Sequence, residues 1–162
     1  MDDRYLQRIR QAVREIPGIA ALVVFGSRAR GTARPDSDLD IAFLPIAGYR
    51  PPPGLANNLR IRIMVALSHL APEGRVDAVP LDQAPATLRQ RVMEHGRMVL
   101  CRDPAAWKAL RLRTMKEYGD QEWARGMFRR ALRKRILEGR PSGRSARTFQ
   151  SFERARRPQP DL

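Results

Sequence analysis

Leu6, Ile9, Val13 and Ile16 recur every three or four residues ahead of Pro17-Gly18, which predicts an amphipathic helix ended by that pair. The period then changes. Leu22-Val23-Val24-Phe25 is β-branched and aromatic, too short for a helix and stopped by Gly26, so it reads as a buried strand. From Asp38 to Phe43 acid alternates with apolar residue and the run then becomes wholly apolar, as in a second strand entering the core. Leu55, Leu59, Ile63, Ala66 and Leu70 mark a second helix ending near Pro72, and Arg75-Val76-Asp77-Ala78-Val79-Pro80 reads as a third strand. A helix over 84–95 stopped by Gly96, a strand over 98–101, and helices over 104–118 and 121–137 complete the order. The whole predicts an α/β (α+β) unit, a small mixed sheet of about four strands flanked by helices, with further helices after it. Pro45 to Gly54 carries three successive prolines, a stiff excursion expected to form a loop rather than a domain linker.

The chemistry lies between the first two strands. Gly26-Ser27 is followed after ten residues by Asp38-Leu39-Asp40. A glycine at the end of a strand lets the backbone approach a ligand closely, and the N–H groups of the turn after it, with the Ser27 hydroxyl, can hold phosphate oxygens. Side chains at i and i+2 of a strand share a face, so Asp38 and Asp40 should point the same way with Cα atoms roughly 7 Å apart. Two such carboxylates can bridge two Mg²⁺ ions, which clamp a nucleoside triphosphate and activate an oxygen nucleophile. A third carboxylate is expected for the metal that serves the nucleophile. Asp77 is the candidate, since its strand follows a helix and should lie beside the Asp38/Asp40 strand. Asp82 is the competitor, but its setting between Pro80 and Pro85 reads as a helix N-cap. Arg28 and Arg30 both flank the turn and either could fork onto phosphate oxygens.

These residues carry a resemblance. Gly26-Ser27, Asp38, Asp40 and Asp77 resemble the DNA polymerase β-type nucleotidyltransferase superfamily in its minimal form. The phrase GSRARGTARPDSDLDIAF, with Gly96-Arg97-Met98-Val99-Leu100-Cys101-Arg102-Asp103-Pro104 and Lys116-Glu117-Tyr118-Gly119-Asp120, resembles the MntA-type antitoxins of MntA/HepT toxin–antitoxin pairs. The resemblance covers approximately residues 5–135. It implies the polymerase-β-type fold and Mg²⁺-dependent transfer of AMP from ATP to a tyrosine of a HepT-like RNase toxin, which silences the toxin. It also favours Arg30, just before the second glycine, as the phosphate arginine, with an ion pair to a nearby acid as the other reading. Nucleotidyl transfer to a small hydroxylated molecule or an RNA end is the alternative activity; these relatives usually carry a larger acceptor domain, for which little chain remains after the fourth strand. Neutralisation of a partner by binding alone is the non-enzymatic alternative, and the intact carboxylate set argues against it.

Composition sets the outer limits. The chain has 162 residues, 43% of them hydrophobic, enough for one domain with a core. It has no apolar run long enough to span a membrane and a hydrophilic start, so a cytoplasmic protein is expected. The lone Cys101 is expected as a small core residue, and His69 and His95 as ordinary residues near helix ends. Trp107, Leu110 and Tyr118, and separately Phe128, Leu132 and Ile136, keep helical spacing and read as core or partner-facing stripes. Net charge is +14, and residues 102–162 hold 17 basic against 7 acidic side chains. The expected division is a nucleotidyltransferase domain over 1–138 and a basic, disordered tail over 139–162, the latter read either as a binder of nucleic acid or an acidic partner or as a solvated solubility tail.

Overall fold

The computed structural model describes residues 2–50 and 58–137. The expected tail and the end of the proline-rich loop, residues 51–54 with its three successive prolines, lie outside the described residues, as does Leu55. Helix α1 (Asp3–Ala12) is capped by Asp2, whose carboxylate accepts the Arg4 N–H at 3.2 Å. Strand β1 (Ile19–Val24) has all six residues buried, and Phe25 stands just past its end. Helix α2 (Gly26–Arg30), β2 (Leu39–Pro45), α3 (Leu59–Leu67), β3 (Val76–Pro80), α4 (Ala86–His95), β4 (Arg97–Cys101) and α5 (Pro104–Leu137) follow. Two short 3₁₀ turns link α3 to β3. The mixed four-stranded sheet has the order β3-β2-β1-β4, with β1 antiparallel to both neighbours and β2 parallel to β3.

Alternation along the strands sorts their side chains onto two faces. Leu22, Val24, Leu39, Ile41, Phe43, Val76 and Ala78 face α1 and α3, packing on Ile9, Val13, Ile63 and Leu67. Ala20, Val23, Ala42 and Leu44 take the other face, under Val92 of α4 and Leu110 of α5, with Trp107 partly buried beside them. Trp107 and Leu110 are thus core residues, whereas Phe128, Leu132 and Ile136 are exposed.

Three local expectations are corrected. Cys101 is exposed, because β4 is an edge strand in which Val99 alone is buried. Asp82 caps no helix: α4 begins four residues later at Ala86 behind Pro85, which makes no side-chain cap. The two C-terminal helices are one, α5, running through Gly119. Gly96 does end α4, but by close approach rather than by a left-handed turn, since a Cβ there would strike the Val92 carbonyl and the Val23 side chain. The chain divides into two compact units between Tyr118 and Gly119. No described helix is long and apolar enough to cross a membrane.

Candidate functional site

The carboxyl end of β1 and the amino ends of β2 and β3 meet at one end of the sheet. Phe25 bridges the first two by donating its N–H to the Asp40 carbonyl at 3.0 Å, and α2 starts on the next residue. Gly26 has φ +71°, and a Cβ at that position would run into the Asp40 carboxylate. Glycine is therefore required twice over, for its backbone angle and for the space that the acid fills. The Ser27 carbonyl accepts the Thr32 N–H at 3.0 Å, closing the short turn of α2 above Gly31.

The three acids come from two strands in register. Asp40 and Asp77 are direct partners across the parallel β2–β3 pair, and Asp38 lies two residues before Asp40 at the lip of β2. Residues 38, 40 and 77 share the sheet face opposite the α1/α3 core, beyond the area that α4 and α5 cover. Burial raises the pKa of Asp40 above the usual carboxylate range; the charges of Asp77 and then Asp38 raise it further, and Arg30 and Arg28 offset part of this. The electrostatics thus bring together the three acids singled out in the sequence, and add Arg30 at their side.

Hard carboxylate oxygens carrying surplus negative charge suit a divalent cation. The residues fit Mg²⁺ in kind, and Asp40 and Asp77 are register partners on adjacent strands, but they do not form a ready-made cage. Among the described residues no three His, Cys, Asp or Glu side chains stand close enough to hold one ion. The two outer acids have partners of their own: Arg75 Nε lies 3.1 Å from an Asp38 oxygen, and Arg60 lies 3.0 Å from an Asp77 oxygen. Both arginines escaped the sequence reading, because each is brought to its acid from another element by the fold.

Arg28 turns away from the acids' open side. Its guanidinium donates to the carbonyls of Ser37 and Asp38 and stands 6.0 Å from the centre of the Tyr5 ring, which makes it a brace for the loop before β2. Tyr5 in turn donates its hydroxyl to the Leu70 carbonyl at 2.8 Å. A hollow of about 230 Å³ opens beside this brace, lined by Asp2, Tyr5, Arg28, Gly31 and Ala33. A larger one, about 690 Å³, lies at the far end of β2 among Leu44, Tyr49, Leu110 and Arg113, and holds Asp82 away from the other acids. His69 and His95 are exposed near helix ends and take no part in the acid cluster.

Comparisons agree with this geometry. No curated protein sequence matches the chain. A chain of a toxin–antitoxin crystal structure with AMP-PNP is 23% identical, with a TM-score of 0.59, over 78% of this chain and 97% of that one. A chain of the MntA–HepT toxin–antitoxin crystal structure is 21% identical, with a TM-score of 0.56, over 81% of this chain and 98% of that one. One from a tri-AMPylated Shewanella oneidensis HEPN toxin in complex with MNT antitoxin is 22% identical, with a TM-score of 0.57, over 82% and 98%. These likenesses show a shared fold. The model of the polymerase beta, nucleotidyltransferase family matches residues 7–105, which span β1 to β4 and all three acids, and the chain therefore belongs to that family.

Proposed function

We propose that this protein is the antitoxin of a toxin–antitoxin pair and acts as a Mg²⁺-dependent adenylyltransferase that moves AMP from ATP to a tyrosine of a HepT-like toxin. The observation that carries the proposal is the pairing of Asp40 with Asp77 across two strands, with Asp38 beside them and the Gly26 turn pressed against the Asp40 carboxylate. Family membership supports nucleotidyl transfer. The shared fold of chains from toxin–antitoxin complexes, one with AMP-PNP and one with an AMPylated toxin, supports the choice of ATP and of a protein acceptor.

Mg²⁺ held by Asp38, Asp40 and Asp77 would neutralise the triphosphate and polarise the α-phosphate. The Ser27 hydroxyl and the N–H groups opening α2 hold phosphate oxygens, and Arg30 adds a guanidinium beside Asp40. Asp77, on the outer strand, serves the incoming nucleophile. The tyrosine hydroxyl gives its proton to the Asp77 carboxylate as its oxygen bonds to the α-phosphorus, and the bond from that phosphorus to the β-phosphate bridging oxygen breaks. AMP stays on the toxin and pyrophosphate leaves.

The test is transfer from ATP labelled in its α-phosphate to a purified HepT-like partner. The Asp38→Asn, Asp40→Asn double variant should keep its fold and lose at least about a thousandfold in rate. Undiminished transfer by that variant would remove the metal assignment, and labelling of RNA in place of protein would redirect the acceptor.

A further inference from the structure

The two arginines on the acids have the strongest unexplained placement in the molecule. Arg60 sits in the first turn of α3, whose start is fixed by Asn58 capping the Arg60 backbone N–H at 3.0 Å. From there its guanidinium reaches Asp77 on β3. Arg75 is the residue before β3; it pairs with Asp38, lies 3.7 Å from Glu73, and donates to the Asp36 carbonyl. Asp40 forms no salt bridge among the described residues, although it is the most buried acid of the three. So the inner acid feels Arg30 and Arg28 without a direct ion pair, while each outer acid has its own arginine.

Half-exposed arginine–carboxylate pairs are weak, because water screens the charges and two long side chains must be held in one geometry. A divalent cation that takes the oxygens of Asp38 and Asp77 displaces both guanidinium groups at little cost. A displaced guanidinium then needs another anion, and its fork matches the oxygens of a phosphate as well as those of a carboxylate.

We propose that Arg60 and Arg75 are exchangeable partners of the site, paired with Asp77 and Asp38 until a divalent cation claims those oxygens, and handed over at that moment to the phosphates of the bound triphosphate. This rests on the metal assignment made above. The consequence is a pair of opposite effects. Removing either arginine frees a ligand and favours the metal, yet takes a cation from the phosphates and weakens the nucleotide. A merely structural arginine would lower both affinities together or change neither.

The experiment measures Mn²⁺ binding by electron paramagnetic resonance on the full chain, and then binding of a non-hydrolysable ATP analogue at saturating Mg²⁺. In Arg60→Gln the affinity for Mn²⁺ should rise by about threefold, the size expected for loss of one exposed ion pair. Affinity for the analogue should fall by at least about fivefold, as for loss of one charge-assisted contact. Arg75→Gln should behave alike, and Arg60→Lys, which keeps the charge, should return Mn²⁺ affinity toward the original value. Because Arg60 is half exposed and its backbone cap is kept on substitution, the melting curve should stay in place. Mn²⁺ affinity that stays level or falls in Arg60→Gln, or analogue affinity that stays level, overturns the proposal. If the unaltered chain binds no Mn²⁺, or Asp40→Asn binds it equally well, the metal assignment itself fails and this proposal falls with it.

Discussion

Asp40 and Gly26 define the site at the scale of single residues, since the carboxylate of one occupies the place where a side chain of the other would begin. Gly26→Ala should cost about 1–3 kcal/mol, from the positive φ and the collision together, and should abolish nucleotide transfer by pushing Asp40 aside. Denaturant melts with an activity assay check it; an active, equally stable variant would mean that the turn can move away. Asp40 itself carries a conflict between stability and use. Its pKa is raised in the fold by burial first and by Asp77 and Asp38 next, so the native state binds the proton more tightly than the unfolded chain does. Stability therefore falls as pH rises from the ordinary carboxylate range through the raised native value, and the full penalty stands above that value. Asp40→Asn removes it and should raise the melting temperature at pH 7 by about 2 °C, a figure kept small because the group is only partly buried and solvent screens it. At pH 3, where the acid is protonated in both states, the variant's advantage should vanish. Gly26, Asp38, Asp40 and Asp77 were legible in the sequence because their types and spacing are unusual together. Arg60 and Arg75 were not, since an arginine in a chain this basic is unremarked until a distant element supplies its acid.

Helices and strands were legible where apolar period was strong and blurred where it was not. All four strands were found, with β1 reaching three residues earlier than the Leu22-to-Phe25 run suggested. The break expected at Gly119-Asp120 misled because glycine in a helix lowers stability by only about 1 kcal/mol and does not forbid the conformation. A Cβ at Gly119 would meet no atom within 4 Å, so Gly119→Ala should add about 0.5–1 kcal/mol to the helix, read as increased helicity in circular dichroism. Between α4 and α5 lies a pairing that periodicity could not reveal: Arg89, 3% exposed, pairs with Glu117 while two of its nitrogens have no hydrogen-bond partner. Leaving a buried guanidinium without its carboxylate is worse than removing it. Glu117→Ala should thus destabilise by about 3 kcal/mol, and Arg89→Met, which fills the space with apolar atoms, by clearly less. Equal losses from the two variants would show that the pair contributes packing alone.

Charge is the property of the whole molecule most open to test. The chain carries +14, and residues 140–162 contribute six arginines against two acids. Removing those residues should weaken binding to an acidic partner at low salt, with the difference shrinking as ionic strength screens the charges; titrations of both forms at two salt concentrations read this out. Affinities that match at low salt would leave the segment without a part in association. One arrangement in the sheet also bears on how the molecule comes into being. Among the described residues, Asp77 stands on an outer strand whose one neighbour in the sheet, β2, runs parallel to it, and 36 residues separate it from Asp40 in the sequence. Parallel pairing must wait for a long segment to be synthesised and closed, a slow event compared with the antiparallel contact of β1 and β2. A nascent chain can therefore assemble the glycine turn and the first two acids well before the third arrives. A copy in which β3 has not docked, or has frayed, holds two of the three acids, so it is silent rather than miscatalytic.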